Sequence, residues 1–374
     1  MSKQLPINPS KWVDAARLEN VENKSIHNID LNSASTIRLE QYLMLRVLQK
    51  SQLSSKLKLA DFGLGEWESR AADMLDNSLS WKAYLNSFSD ELGEGTFALP
   101  RFYQKQVVRI PHDTEFRPNV AISPIAHRTR GQLKRIEEGV RKLTFETPTK
   151  PPTTPVLKPE LEHDEITPET PPEKRSYGPQ ELLNLNFPRT KDEQIVNTAL
   201  VDFLNAFTIH MDVHCHWTLY RKPFVADFGS ASFEARTDGC LEDGGPKTFA
   251  IVEVKPMMRF RQSDRISMQE AAEIVAWIKC EPDPDDFTSS CGLRILISQD
   301  RHEIYVTFAE YDATYIRYLN NTLGKDERSG FLTLHVFGPW DTTRARDMKE
   351  LGNILLAVAL RAEEGAKTQR HKSK

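Results

Sequence analysis

Apolar residues recur at helical spacing along much of the chain. Ser35–Gln52 sets Ile37, Leu39, Tyr42, Leu43, Leu45, Val47 and Leu48 around one broad face behind Ser35 as N-cap, which predicts an amphipathic helix. Leu64–Phe88 carries a second helical pattern through Trp67, Met74, Leu75, Leu79, Trp81 and Leu85. Thr190–Phe207 places Ile195, Val196, Ala199, Leu200, Phe203, Leu204 and Phe207 on one face, a strong helix. Strand-like runs follow at His216–Tyr220, Ser232–Thr237 and Thr248–Lys255, then a helix at Ser267–Lys279. Two strands, Leu293–Ser298 and Glu303–Phe308, flank a short turn. Asp312–Leu323 reads as helix, Phe331–Val336 as strand and Thr343–Arg361 as a terminal helix. The order α-β-β-β-α-β-β predicts a single α/β or α+β domain over residues 180–374.

Between these patterned regions, Thr147–Pro179 holds 9 of the 22 prolines and has neither a helical nor an alternating apolar period. Proline fixes φ and removes a backbone donor, so this composition predicts an extended Pro/Thr-rich linker without a core of its own. Its Thr-Pro dipeptides at Thr147, Thr154, Thr167 and Thr170 fit phosphorylation sites, although threonine and proline are common in any polar linker. Three segments result: a mainly helical accessory region at 1–146, the linker at 147–179 and the mixed domain at 180–374.

Composition narrows the function classes. The chain has 374 residues, a net charge of -4 and 39% hydrophobic residues, below the usual ~45–50% apolar share that includes glycine. The longest apolar stretch, Ile354–Leu360, falls far short of the ~20 residues that span a bilayer. The N-terminus has no apolar h-region, and four cysteines without a Cys-x-x-Cys pair make no disulfide framework. These features predict an intracellular protein of the nucleus or cytoplasm, neither secreted nor membrane-bound. Charge is uneven: residues 1–146 are net +3, 147–180 net -2 and 181–374 net -5. Arg101–Glu146 carries 10 basic against 5 acidic residues and suits phosphate contact, but its Arg135/Glu138 and Glu137/Arg141 spacings also suit a solvated helix face, the commoner case.

The candidate chemistry lies in Ser232–Lys279. If Ser232–Thr237 and Thr248–Lys255 pair as a hairpin through Gly239–Lys247, parity brings Asp238 to Glu253 and Lys255 at one end of a sheet. Two close carboxylates make a site for a hard divalent cation, Mg²⁺ or Mn²⁺, to which the Val254 carbonyl adds an oxygen. Lys255 is placed to orient an attacking water or to balance charge on a phosphate. Each residue alone reads more simply, as a strand-end ion pair or a turn acid. Together, charges ending an apolar strand need partners or a metal.

The constellation Asp238 … Glu253-Val254-Lys255, followed by a helix opening with Gln269, resembles the PD-(D/E)xK nuclease superfamily. It looks most like the nuclease-like domains found in many fungal proteins of unknown role. The resemblance extends over roughly Tyr177–Arg361 and implies a restriction-endonuclease-like αβββαβ core. It implies Asp238 and Glu253 as ligands of Mg²⁺ or Mn²⁺, Lys255 as the catalytic lysine and Gln269 as a positioning residue. Glu193 matches, more weakly, the additional acid that some members use; the commoner reading of such a residue is a solvated first-turn acid favoured by the helix dipole. Thr237 stands where the motif's proline would be, and Glu273 replaces the tyrosine that follows the glutamine in one branch. Arg259, Arg261 and Arg265 fit contacts to a nucleic-acid backbone, DNA ahead of RNA, with Phe260 as a base-stacking ring. Solvated arginines are the alternative.

The expected function is metal-dependent phosphodiester hydrolysis. The alternative is a catalytically inactive nuclease fold that serves as a nucleic-acid-binding or protein-interaction scaffold. His210, Asp212, His214, Cys215 and His216 offer zinc-type ligands, but no second ligand pair recurs at zinc-site spacing, so ordinary partly buried histidines are expected. No P-loop, Gly-x-Ser-x-Gly elbow or dinucleotide fingerprint is present.

Overall fold

Near the N-terminus the broad apolar face of Ser35–Gln52 divides into two kinds of element. The computed structural model describes residues 5–109, 189–190, 192–283, 291–324 and 327–372. After helix α1 (Pro9–Leu18), α2 covers only Leu39–Met44, and Val47–Gln52 is strand β1. Arg46 separates them with φ of 54°, a left-handed conformation that stops a helix. Its guanidinium lies 4.3 Å from the Trp12 ring and 4.2 Å from the Phe331 ring, and donates to the Ser329 and Gly330 carbonyls. These contacts hold a conformation that arginine seldom adopts. The single helix expected over Ser35–Gln52 is thereby corrected: Val47 and Leu48 are buried because β1 pairs, in parallel, with a strand almost 300 residues away.

The helical pattern over Leu64–Phe88 is divided between two helices, α3 (Gly65–Asn77) and α4 (Leu79–Asn86), with Ser78 capping the second by accepting the Trp81 N–H at 3.2 Å. Helix α5 (Ala98–Val108) follows. Then come α6 (Glu193–Ala206), the short strand β2 (His216–Thr218) and a hairpin of β3 (Pro223–Asp227) and β4 (Ser232–Arg236). Strands β5 (Gly239–Glu242) and β6 (Thr248–Lys255) precede α7 (Ser263–Cys280). The chain ends with β7 (Gly292–Asp300), β8 (Glu303–Tyr311), α8 (Ala313–Leu319), β9 (Leu332–Asp341) and α9 (Ala345–Lys372).

The strands form a seven-stranded mixed sheet in the order β1-β9-β8-β7-β6-β5-β2, beside the separate two-stranded β3–β4 hairpin. β1/β9 and β6/β7 are the parallel pairs, and α7 is the crossover that makes the second one possible. One face of the sheet, with Ala250, Val252 and Val254 of β6, packs against α3 to α6 and α9. The other, with Ile251 of the same strand, packs against α1, α2, α7, α8 and the β3–β4 hairpin. The chain is therefore mixed α/β, with helices on both faces of the sheet. Among the described residues, no helix is long and apolar enough to cross a membrane.

Two further expectations change. Met1–Ile110 and Leu183–Lys374 form one unit, so the described part of the N-terminal region is not a separate accessory body. It supplies an edge strand and side chains to both cores, pairings too distant in sequence for local patterning to reveal. The hairpin partner also differs. β4 pairs with β3, while β6 pairs with β5, inside the stretch expected to be a connection. Gly239 explains the switch: a Cβ there would lie 2.4 Å from the Thr218 carbonyl oxygen, so only glycine lets β2 close against β5. The turn narrows to Asp243–Lys247, with Gly244 at φ +76°. The expected linker Thr147–Pro179, its Thr-Pro dipeptides and residues 110–146 of the basic segment lie outside the described residues.

Candidate active site

At the C-terminal end of β6, alternation sends Val254 into one core and Glu253 toward α7. Asp238 leads directly into β5. Its backbone N–H donates to the Val252 carbonyl at 2.9 Å, and its own carbonyl accepts from Asn197 Nδ2 of α6 at 2.8 Å. Its carboxylate takes the Val254 N–H on Oδ2 at 3.1 Å and Arg221 on Oδ1 at 3.2 Å. Although the pairing of strands differs from the expected hairpin, Asp238, Glu253 and Lys255 are brought together.

Lys255 Nζ contacts the Glu253 carboxylate, donates to the Val254 carbonyl at 3.1 Å, and lies 3.6 Å from Glu193 Oε1. Glu193 is thus both the first residue of α6, beside its N-cap Asp192, and a partner of the lysine. Gln269 donates from Nε2 to Glu253 Oε1 at 2.6 Å and to Glu273 Oε1 at 2.8 Å. It stands in the second turn of α7 rather than at its opening, because the helix begins at Ser263. A full turn on, Glu273 enters the site at i,i+4 spacing.

The electrostatics follow from this crowding. Burial, then Asp238 and Glu273, raise Glu253 well above the ordinary carboxyl value, only partly offset by Lys255. Glu273 is pushed up to about 8, burial again first, against the lowering by Lys255 and Gln269. Glu193 is raised by burial against the pull of Lys255. For Lys255, burial favours the neutral amine, but Glu253, Glu193, Asp238 and Glu273 together raise its value and keep it an ammonium. Carboxyls outnumber cations here, and Glu253 Oε2 and Glu273 Oε2 are buried without a hydrogen-bond partner.

Whether the cluster suits a divalent cation depends on its donors. Among the described residues, no group of three or more His, Cys, Asp and Glu side chains stands ready-converged around one point. The donor chemistry nevertheless fits Mg²⁺ or Mn²⁺: hard carboxylate oxygens, the Val254 carbonyl and an orphaned, buried oxygen on Glu253. Asp238 and Glu253 are the residues that would hold the ion, with the weakly held Arg221 as the cation to be exchanged.

The arginines after β6 divide. Arg259 is corrected as a nucleic-acid contact: it is buried, donates through Nε to Asp300 Oδ2 at 2.5 Å, pairs with Glu270, and donates to Ser298 Oγ at 2.9 Å. The Tyr305 ring lies 4.1 Å from its guanidinium carbon. Asp300, pushed up to about 6 by burial against the pull of Arg259, completes a structural charge cluster. Arg265 is exposed, with Nη2 3.5 Å from the Ser35 carbonyl, and Arg261 is half-buried. Phe260 is partly exposed beside them.

The histidine-rich segment has ordinary partners. His210 Nε2 lies 2.7 Å from Thr96 Oγ1, and His214 Nδ1 lies 2.8 Å from Glu363 Oε1. Arg221 escaped the sequence reading because nothing local marks it; it reaches Asp238 only through the β2–β5–β6 arrangement. Glu273 had a signal, a charged residue one turn after Gln269 on a helix whose buried positions are mostly apolar. A scan against protein-family models finds no match to this chain, and a search of curated proteins finds no relative.

Proposed function

We propose that the chain is a Mg²⁺- or Mn²⁺-dependent nuclease, hydrolysing phosphodiester bonds of nucleic acid, with DNA the preferred substrate. The observation that carries this reading is the meeting of Asp238, Glu253 and Lys255 at the end of β6, with Glu253 Oε2 buried and unpartnered. The element order supports a restriction-endonuclease-like core: α6, the antiparallel β2, β5 and β6, then α7 and the parallel β7 give αβββαβ, with the β3–β4 hairpin inserted.

A bound Mg²⁺ or Mn²⁺ supplies Lewis acidity toward water and toward a phosphoryl oxygen. Asp238, fixed by the Val254 N–H, and Glu253, fixed by Gln269, would hold the ion. Lys255, held between Glu253 and Glu193, is placed to orient the attacking water and to balance charge at phosphorus. Water oxygen forms the new P–O bond and gives up a proton to solvent, the ester P–O bond breaks, and the leaving alkoxide takes a proton from solvent, so that atoms and charge balance.

A second reading, an inactive nuclease fold acting as a nucleic-acid-binding or protein-interaction scaffold, draws on the engagement of Lys255 by both Glu253 and Glu193. The deciding experiment incubates the full chain with labelled single- and double-stranded DNA and RNA in Mn²⁺, Mg²⁺ or EDTA. Metal-dependent cleavage lost in Asp238→Ala and Lys255→Ala supports the enzyme. Binding without cleavage supports the scaffold, and cleavage unchanged in both variants removes the assigned residues.

A further inference from the structure

The segment Leu219–Lys222 runs from β2 to β3 past the carboxylate cluster, and its backbone is held from both sides. Thr218 pairs with Cys240 of β5. Lys222 Nζ reaches Glu281 Oε1 and Thr248 Oγ1, each at 2.7 Å, and its carbonyl accepts the Thr237 N–H at 3.4 Å, one residue before Asp238. Between these anchors Leu219 and Tyr220 are 45% and 60% exposed. The Arg221 side chain is 65% exposed, against 9% for the Asp238 side chain it touches. Asp238 does not depend on Arg221 for its place, since the Val254 N–H already holds Oδ2. The guanidinium end of this pair lies largely in solvent, where it can exchange Asp238 for another anion.

We propose that Tyr220 and Arg221 form the docking step for a single strand of nucleic acid, with Arg221 taking a backbone phosphate and Tyr220 stacking on an unpaired base. This rests on the nuclease reading and extends it to a strand with unstacked bases. With a divalent cation held at Asp238, Arg221 would lose its place there and be free to take a strand phosphate, so metal binding and strand binding would be coupled through one side chain. An exposed tyrosine next in sequence to an exposed arginine offers a stacking ring and a charge-assisted phosphate contact, and ring stacking requires a base free of its partner.

The test uses the full chain and a fluorescent oligodeoxynucleotide, single-stranded or annealed to its complement. Ca²⁺ serves as a hard cation of lower Lewis acidity, and binding is followed across a salt series. Arg221→Ala is expected to weaken single-strand binding about ten-fold and to flatten the slope of log K against log salt by about 0.7, with Arg221→Lys restoring the slope. Tyr220→Ala is expected to weaken the single strand more than the duplex. Calorimetry with Mn²⁺ alone is expected to show up to about five-fold tighter binding by Arg221→Ala, since the competing cation is gone. If wild-type protein cleaves nucleic acid while Arg221→Ala leaves affinity, slope and Mn²⁺ binding unchanged, the docking step falls and the nuclease reading stands. Equal losses on single strand and duplex in Tyr220→Ala overturn the stacking role. No binding and no cleavage by wild type overturns both.

Discussion

The carboxyls of Glu253 and Glu273 share a single donor: Gln269 Nε2 sits 2.6 Å from Glu253 Oε1 and 2.8 Å from Glu273 Oε1, leaving the second oxygen of each acid buried and unpartnered. The amide carries no charge and the Lys255 ammonium can balance only one of the two carboxylates, so the buried pair retains a proton. Glu273 is pushed from 4.5 up to about 8, burial being the largest cause, with Asp238 and Glu270 adding to it. Between these values the native state holds a proton that the unfolded chain has released. Stability therefore falls as pH rises through that window, by about 1.4 kcal/mol per pH unit for one such proton. Urea unfolding in EDTA at about pH 5, 7 and 9 is expected to show this decline, and Glu273→Gln to flatten it. Equal slopes in the two proteins would show that Glu273 holds no such proton.

The cluster around Arg259 predicts a different kind of loss. Arg259 joins Asp300, Glu270 and Ser298 under the Tyr305 ring, all but sealed from solvent. Its removal leaves two buried carboxylates without their cation, which costs about 3–5 kcal/mol. Arg259→Ala is expected to lower the urea midpoint strongly. Arg265→Ala, at an exposed position, is expected to change stability by less than about 0.5 kcal/mol and to reduce only the salt dependence of nucleic-acid binding. Reversed results would return Arg259 to the binding surface.

These two arginines show what the sequence could and could not disclose. In MMRFRQSDRIS they are equivalent cations after a strand, and only the fold turns Arg259 inward, where β7 delivers Ser298 and Asp300 and α7 delivers Glu270. Local periodicity recovered the long elements, because an amphipathic helix such as α6 or a buried strand such as β6 must show its apolar spacing to pack at all. It failed at Val47–Gln52, whose apolar half satisfies a helix or a strand equally; the choice belongs to β9, far along the chain. The site was legible to the same degree. Glu253 and Lys255 are fixed relative to each other by strand alternation. Asp238 arrived by a different pairing from the one its sequence suggested, and Arg221 needed the third dimension.

Glu363 predicts how the terminal helix is fastened. From α9 its Oε2 accepts the His214 N–H at 2.7 Å and the Cys215 N–H at 3.1 Å, while Oε1 lies 2.8 Å from His214 Nδ1. Burial alone would raise this carboxyl, but the hydrogen bonds from His214 and Cys215 outweigh it and hold its value below 4.5. The stability it contributes is present above 4.5 and is lost as pH falls through the lower, folded value. Glu363→Ala leaves two backbone N–H groups without their acceptor, a cost of about 1–3 kcal/mol. Thermal melts near neutral pH are expected to show that loss, with Glu363→Gln recovering part of it because an amide oxygen still accepts. If the alanine variant melts with wild type, the clasp contributes nothing.

The last prediction concerns where the foldable unit begins. A fragment starting at residue 180 contains every proposed site residue, and by sequence patterning it is a complete domain. In the structure it lacks β1, so β9 loses its parallel neighbour and presents an open edge. It also loses Leu43, Leu45 and Leu48 from one core and Trp81, Tyr84 and Phe97 from the other. Fully burying a large apolar side chain is worth about 1.5–3 kcal/mol, so six such losses are comparable to the whole stability of an ordinary domain, about 5–15 kcal/mol. The 180–374 fragment is expected to be insoluble or to unfold without a cooperative transition by circular dichroism. Co-expression with residues 1–110 is expected to restore a cooperative melt. A fragment that melts cooperatively alone would make the N-terminal segment a removable cover instead of part of the fold.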